Sequence, residues 1–182
     1  SGFSWELFDE APVVGIVRGI PLEKVLKIAE VYVESGLTTI EITMNTAGAT
    51  DIITVLRKRF PQLNVGAGTV CSLLDLTNAV NAGAQFIVTP IIDAEVIRKS
   101  VELNIPIFPG AYTPTEIYNA WKLGASAVKI FPATQLGTQY IKDVAAPLNK
   151  IKLLPTGGVS VTNINSFFQS GAIGVGMGSS LF

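Results

Sequence analysis

Histidine is absent from this 182-residue chain, and cysteine occurs once, at Cys71. Without histidine there is no Ser-His-Asp or Cys-His nucleophile system and no histidine-ligated metal. One cysteine builds neither a zinc nor an iron–sulfur centre. Nor can it close a disulfide within the chain, a usage that fits a reducing cytosol. Cys71 itself is expected to pack as a small apolar residue. Charge is scarce, at 15% of residues, and balanced, with 13 Lys and Arg against 14 Asp and Glu. The basic footprint of a nucleic-acid partner is therefore missing. Apolar stretches are broken by glycine, proline or charge, so none reads as a membrane span. The N-terminal Glu6, Asp9 and Glu10 do not read as a signal peptide. Acid–base chemistry, if any, falls to Glu, Asp, Lys or Tyr, and the expectation is a cytoplasmic protein acting on a small molecule without a cofactor.

What the chain has in abundance is apolar residues, 48% of the total, which demand a large buried core. No linker or shift of composition divides it, so a single domain over residues 1–182 is expected. Short β-branched runs read as strands at 12–18, 38–44, 64–69, 86–90, 105–109, 127–132, 152–155 and 173–177. Amphipathic segments separate them; in the first, Leu22, Val25, Leu26, Ala29, Tyr32 and Val33 recur at helical spacing. Thr113-Pro114-Thr115-Glu116 is a capping box with proline at the first helical position. Gly36, Gly83, Gly124 and Gly171 mark helix stops.

Eight strands and seven intervening helices fit an open doubly wound sheet or a closed (β/α)8 barrel. The barrel is favoured, because eight is its strand number and no dinucleotide fingerprint follows the first strand. The helix after strand eight has no counterpart in the chain as given. Ile173 and Val175, or their alternates, are thus expected to face solvent on an apolar groove beside the first intervening helix, and a further amphipathic helix is expected to cover them.

Few charges are tolerated in strands buried on both faces, so those present are informative. In Thr39-Ile40-Glu41-Ile42-Thr43 the isoleucines suit the helix layer, which turns Glu41 into the barrel; by the same alternation Lys129 points inward between Val128 and Ile130. Strands two and six lie opposite each other, so the two side chains should meet near the C-terminal face, where barrel active sites sit. One reading is a structural ion pair, although a buried pair is often no more stable than apolar replacements. The other is chemical. A desolvated lysine is a nucleophilic amine and a carboxylate nearby can shuttle protons, the requirements of Schiff-base chemistry on a keto substrate. Thr156-Gly157-Gly158-Val159 after strand seven and Gly176-Met177-Gly178-Ser179-Ser180 after strand eight suit phosphate binding through backbone N–H groups. Gly66-Ala67-Gly68-Thr69 could simply be close backbone packing, with the Thr69 hydroxyl at the mouth. Arg18 ends strand one, where it could bind a carboxylate or cap rim carbonyls.

In this order, Ile40-Glu41-Ile42-Thr43, Gly66-Ala67-Gly68-Thr69-Val70, Phe86-Ile87-Val88-Thr89-Pro90, Pro109-Gly110, Val128-Lys129-Ile130-Phe131-Pro132 and Pro155-Thr156-Gly157-Gly158-Val159 resemble the 2-keto-3-deoxy-6-phosphogluconate (KDPG) and 4-hydroxy-2-oxoglutarate (KHG) aldolase family over nearly the whole chain. The resemblance implies a TIM barrel, a homotrimer, Lys129 as Schiff-base lysine and Glu41 as general acid/base. It places Thr69 and Phe131 in the pyruvyl pocket, Thr156 near the C4 hydroxyl, and Gly157, Gly158, Gly178 and Ser179 on the phosphate. Two departures stand out. The arginine many members carry just after the glutamate is replaced within Met44-Asn45-Thr46, and Arg18 is expected to take over the substrate carboxylate. Arg18-Gly19-Ile20, Asn45-Thr46 and Gln139-Tyr140-Ile141-Lys142 look like the sister 6-phosphogalactonate aldolases, whereas Thr156 favours the gluconate epimer. The rival readings are that galactonate aldolase, a phosphosugar isomerase or epimerase, and a non-catalytic barrel acting as an assembly scaffold.

Overall fold

Eight short, largely apolar segments become strands because they are buried between two layers. They are Val13–Val17 (β1), Thr39–Thr43 (β2), Asn64–Gly68 (β3), Ile87–Thr89 (β4), Ile107–Ala111 (β5), Val128–Ile130 (β6), Leu153–Pro155 (β7) and Val175–Met177 (β8). The computed structural model describes residues 2–182. All strand pairs are parallel, in the order β7-β6-β5-β4-β3-β2-β1-β8, and a bridge between Thr156 and Gly176 joins the two ends. The sheet is thus a closed (β/α)8 barrel, with β2 and β6 on opposite sides. The fifth strand lies two residues later than the sequence pattern suggests, keeping Pro109 and taking in Gly110 and Ala111. Pro109 carries no N–H, and that is the cost of its position in a ladder.

Seven helices follow the first seven strands: Leu22–Glu34 (α2), Ala49–Arg59 (α3), Leu73–Asn81 (α4), Ala94–Glu102 (α5), Pro114–Lys122 (α6), Gly137–Ala145 (α7) and Ile164–Gln169 (α8). The capping box at Thr113 and Glu116 forms, and Gly36, Gly83, Gly124 and Gly171 all adopt positive φ at helix ends. Ile40, Ile42, Val65 and Ile107 pack outward against Val25, Ala29, Ile53 and Ile97 of the helices.

An element absent from the sequence reading precedes all of these. Trp5–Glu10 forms a short helix, α1, capped by the Ser4 hydroxyl. It is too brief for a periodic signal, yet it closes the N-terminal end of the barrel. Phe8 meets Val14, Phe86, Val88, Phe108, Ala127 and Leu154 of the barrel interior, with Phe3 and Trp5 packed alongside. Trp5 and Phe8 stand edge to face at 5.8 Å.

The expectation for β8 needs correction. Val175 is fully buried among residues of α7 and α8, and Ile173 is half-buried against the Phe8 cluster. Their alternates, Gly174 and Gly176, have no side chain to expose. The apolar groove does lie beside α2, between Ile28, Val31, Tyr32, Leu37, Leu181 and Phe182.

Candidate active site

Glu41 and Lys129 both enter the lumen from strand centres, because their neighbours in sequence are held outward by the helix layer. Ile40 and Ile42 pack in one helix-facing cluster and Val128 and Ile130 in another. The side chains are nearly inaccessible, at 2% for Glu41 and 6% for Lys129. They form no direct salt bridge: among the described residues the pair within bonding distance is Lys99–Glu102 on the surface. Instead the Lys129 ammonium sits 4.6 Å from the centre of the Phe131 ring, and Glu41 Oε2 has no hydrogen-bond partner. A structural ion pair would satisfy both groups, and none forms between them here.

Burial dominates their titration. It pushes the Glu41 carboxyl up to about 7, against the opposing pull of Lys129 and then Arg18. It pushes Lys129 down, opposed by Glu41 and reinforced by the positive charge of Arg18. A lysine whose charged form burial disfavours and a carboxyl poised near neutrality are the kind of pair that imine chemistry uses.

Room for the carboxyl comes from β3. A Cβ at Gly68 would collide with Glu41 Oε1, and one at Gly66 would lie 2.5 Å from the Phe86 ring. The glycines of Gly66-Ala67-Gly68 are therefore both close packing and part of the site, and the role of Gly68 is not evident from the sequence pattern alone. Thr69, the next residue, adopts φ 55°, a strained conformation for a β-branched side chain that tends to mark functional sites.

Above these groups lies a cavity of about 360 Å³ lined by Arg18, Phe131, Thr156, Gly157, Gly158, Gly178 and Ser179, together with Ile16, Val159, Ser160, Gly176 and Ser180. Seven of the residues singled out from the sequence meet in one depression, while Glu41 and Lys129 lie in the barrel lumen and Thr69 stands on the β3 rim. Arg18 is exposed and donates to Asn45 Oδ1 at 3.0 Å rather than capping a rim carbonyl. Its loop is tied to the next by Gly19 N–H donating to Thr46 Oγ1 at 2.9 Å. Cys71 departs from expectation: it is exposed, on the loop past β3, where its N–H donates to Asp75 Oδ2. No group of three or more Asp, Glu or Cys among the described residues is arranged to hold a metal ion, and no helix is long and apolar enough to cross a membrane.

The KDPG and KHG aldolase family model matches residues 6–182. A 2-dehydro-3-deoxy-phosphogluconate aldolase of Haemophilus influenzae is 33% identical over 89% of this chain and 77% of its own length. A 2-dehydro-3-deoxy-6-phosphogalactonate aldolase of Escherichia coli is 34% identical over 94% of this chain and 84% of its own. Among solved structures, a KDPG aldolase of Legionella pneumophila, with pyruvate captured as a covalent carbinolamine, superposes with a TM-score of 0.88 at 28% identity, covering 96% of this chain and 85% of that one.

Proposed function

The chain belongs to the KDPG and KHG aldolase family, and from that premise we propose that it is a class I aldolase, a lyase cleaving 2-dehydro-3-deoxy-6-phosphogluconate to pyruvate and glyceraldehyde 3-phosphate. The same chemistry extends to 4-hydroxy-2-oxoglutarate, giving pyruvate and glyoxylate. The observation that carries this reading is the buried, unpaired Lys129 facing a lumen shared with a carboxyl that has an unpartnered oxygen.

The Lys129 amine attacks the C2 ketone, and loss of water from the carbinolamine leaves an iminium. Glu41 takes the proton of the C4 hydroxyl, the C3–C4 bond breaks, and its electrons flow into the iminium to form an enamine. The aldehyde departs, Glu41 returns a proton to C3, and water hydrolyses the imine to free pyruvate and the amine. Arg18 holds the substrate carboxylate, Thr69 and Phe131 flank the pyruvyl group, and Thr156 reaches the C4 hydroxyl. Gly157, Gly158, Gly178 and Ser179 receive the phosphoryl group. This reading takes the molecule as a cytoplasmic homotrimer, which sedimentation equilibrium checks.

Borohydride reduction in the presence of pyruvate tests the chemistry. A reduced pyruvyl adduct on Lys129, located by mass spectrometry, is expected, with Lys129→Arg reducing turnover to background because a guanidinium forms no such imine. An adduct on another lysine, or none, overturns the mechanism and reopens the isomerase or scaffold readings. The galactonate epimer is the second substrate to assay. The Arg18 and Asn45-Thr46 segments, paired through Arg18 and Asn45, favour it, whereas Thr156 favours the gluconate.

A further inference from the structure

The loop after β7 has two glycines in the left-handed region, Gly157 at φ 96° and Gly158 at φ 72°. A Cβ on Gly158 would lie 2.9 Å from Thr134 Cα, so the loop passes close over the segment that follows β6. What orients its peptide groups is a side chain outside the cavity. Asn163 donates from Nδ2 to the Gly158 carbonyl at 2.8 Å and accepts the Ser160 N–H on Oδ1 at 2.8 Å. Between those two contacts, the Val159 carbonyl accepts the Ser180 hydroxyl at 2.7 Å, which fastens the loop after β7 to the loop after β8.

Peptide planarity turns these contacts into a statement about direction. In a trans peptide the C=O of one residue and the N–H of the next point opposite ways. With the Gly158 carbonyl drawn towards Asn163, the Val159 N–H is fixed pointing away from Asn163. Gly158 and Val159 both line the cavity and Asn163 does not. Among the described residues the N–H groups of Gly158, Val159 and Ser179 donate to no other group, leaving three donors for an acceptor that the protein does not supply.

We propose that Asn163 is a positioning residue for a phosphoryl subsite, holding the loop so that the Val159 N–H is presented to the phosphoryl oxygens beside the N–H groups of Gly158 and Ser179. This rests on the reading above that the two loops receive the substrate phosphoryl group. It adds the side chain that orients them and a donor that glycine motifs alone do not indicate. Backbone donors fixed in advance bind an oxyanion without first reorganising.

The test uses the purified chain and two ligands that differ in the phosphoryl group. Inorganic phosphate is titrated by calorimetry into wild type, Asn163→Ala and Asn163→Asp, and kcat/KM is measured with the phosphorylated keto acid and with 4-hydroxy-2-oxoglutarate. Loss of two neutral hydrogen bonds should weaken phosphate binding roughly tenfold in Asn163→Ala. The ratio of kcat/KM between the two substrates should fall by a similar factor. Asn163→Asp keeps the acceptor for Ser160 N–H but turns a negative oxygen on the Gly158 carbonyl; it should lose at least as much, and it decides the matter if Asn163→Ala does not fold. Unchanged phosphate affinity, or an equal loss for both substrates accompanied by a lower Tm, overturns the proposal and leaves Asn163 a simple turn-forming residue. Failure of pyruvate trapping would remove the aldolase reading instead, and the phosphate titration would still decide the role of Asn163.

Discussion

The two ends of the barrel treat buried polar groups in opposite ways. At the N-terminal end every contact is closed. Asn64 donates to the Ser4 carbonyl and the Thr39 hydroxyl while accepting the Ser4 N–H. Gln85 accepts from Val65 N–H and donates to the Gly2 carbonyl, and the Thr38 hydroxyl donates to Leu7 O. The aromatic plug of Phe3, Trp5 and Phe8 packs at the same end. At the C-terminal end two groups are as deeply buried but left open, Glu41 Oε2 unpartnered and Lys129 beside an aromatic face, while at the rim the half-buried Thr69 stands at positive φ and the N–H groups of the exposed Gly158 and Ser179 have no protein acceptor. Unsatisfied burial costs about 1–3 kcal/mol per group, so the closed end contributes stability that the open end forgoes in order to react.

Glu41 gives the widest contrast. Glu41→Gln should lower kcat by about 10²–10⁴, the usual worth of a positioned proton relay, and should remove the acid limb near pH 7 from the rate profile. The same substitution should not weaken the fold. The folded carboxyl binds its proton more tightly than the unfolded one, with its pKa raised from 4.5 to about 7. Its contribution to stability is therefore whole below about pH 4.5 and is lost as pH rises to about 7, a change of about 3 kcal/mol. Denaturant unfolding across pH 4 to 8 should show that slope in wild type and its loss in Glu41→Gln.

The closed end should behave in reverse. Phe8→Ala empties the centre of the plug and should cost about 3–5 kcal/mol in denaturant unfolding, while kcat per pyruvate-trapped site stays at the wild-type value. A loss of kcat without loss of stability would show that the plug communicates with the lumen. Arg18→Ala, at the rim and solvent-exposed, is the smallest effect. Removing a charged hydrogen bond should weaken pyruvate binding roughly tenfold, measured by the concentration dependence of trapping. An unchanged affinity would make Arg18 a loop anchor for Asn45.

The open end was the more legible in sequence, for a reason that follows from the same contrast. Glu41 and Lys129 are conspicuous because apolar strands rarely carry charge, and alternation alone gave their direction. Paired glycines marked the loops after β7 and β8. The plug was invisible because α1 spans six residues, too few for periodicity, and its partners Phe86 and Phe108 looked like any strand residues. Asn163 went unmarked, and Gly68 and Asn45 stood in motifs without a role of their own, because each acts on a residue distant in sequence or through a loop backbone. Cys71 was misjudged because residue type suggests burial but position past the strand end decides exposure.

Local chemistry written in the sequence determined the alternation of strands and helices, the inward direction of the two charged side chains and the capped starts and glycine stops of the helices. Each of these depends on residues within a few positions of one another, where φ/ψ preference and side-chain periodicity act directly. Tertiary structure alone decided that Glu41 and Lys129 share a lumen without an ion pair, that Gly68 leaves space for a carboxyl, that α1 seals one end and that Asn163 orients a loop above the other. Those features depend on barrel closure, which brings β7 to β8 and sets strand against strand in register, and no neighbour-to-neighbour rule along the chain contains that geometry.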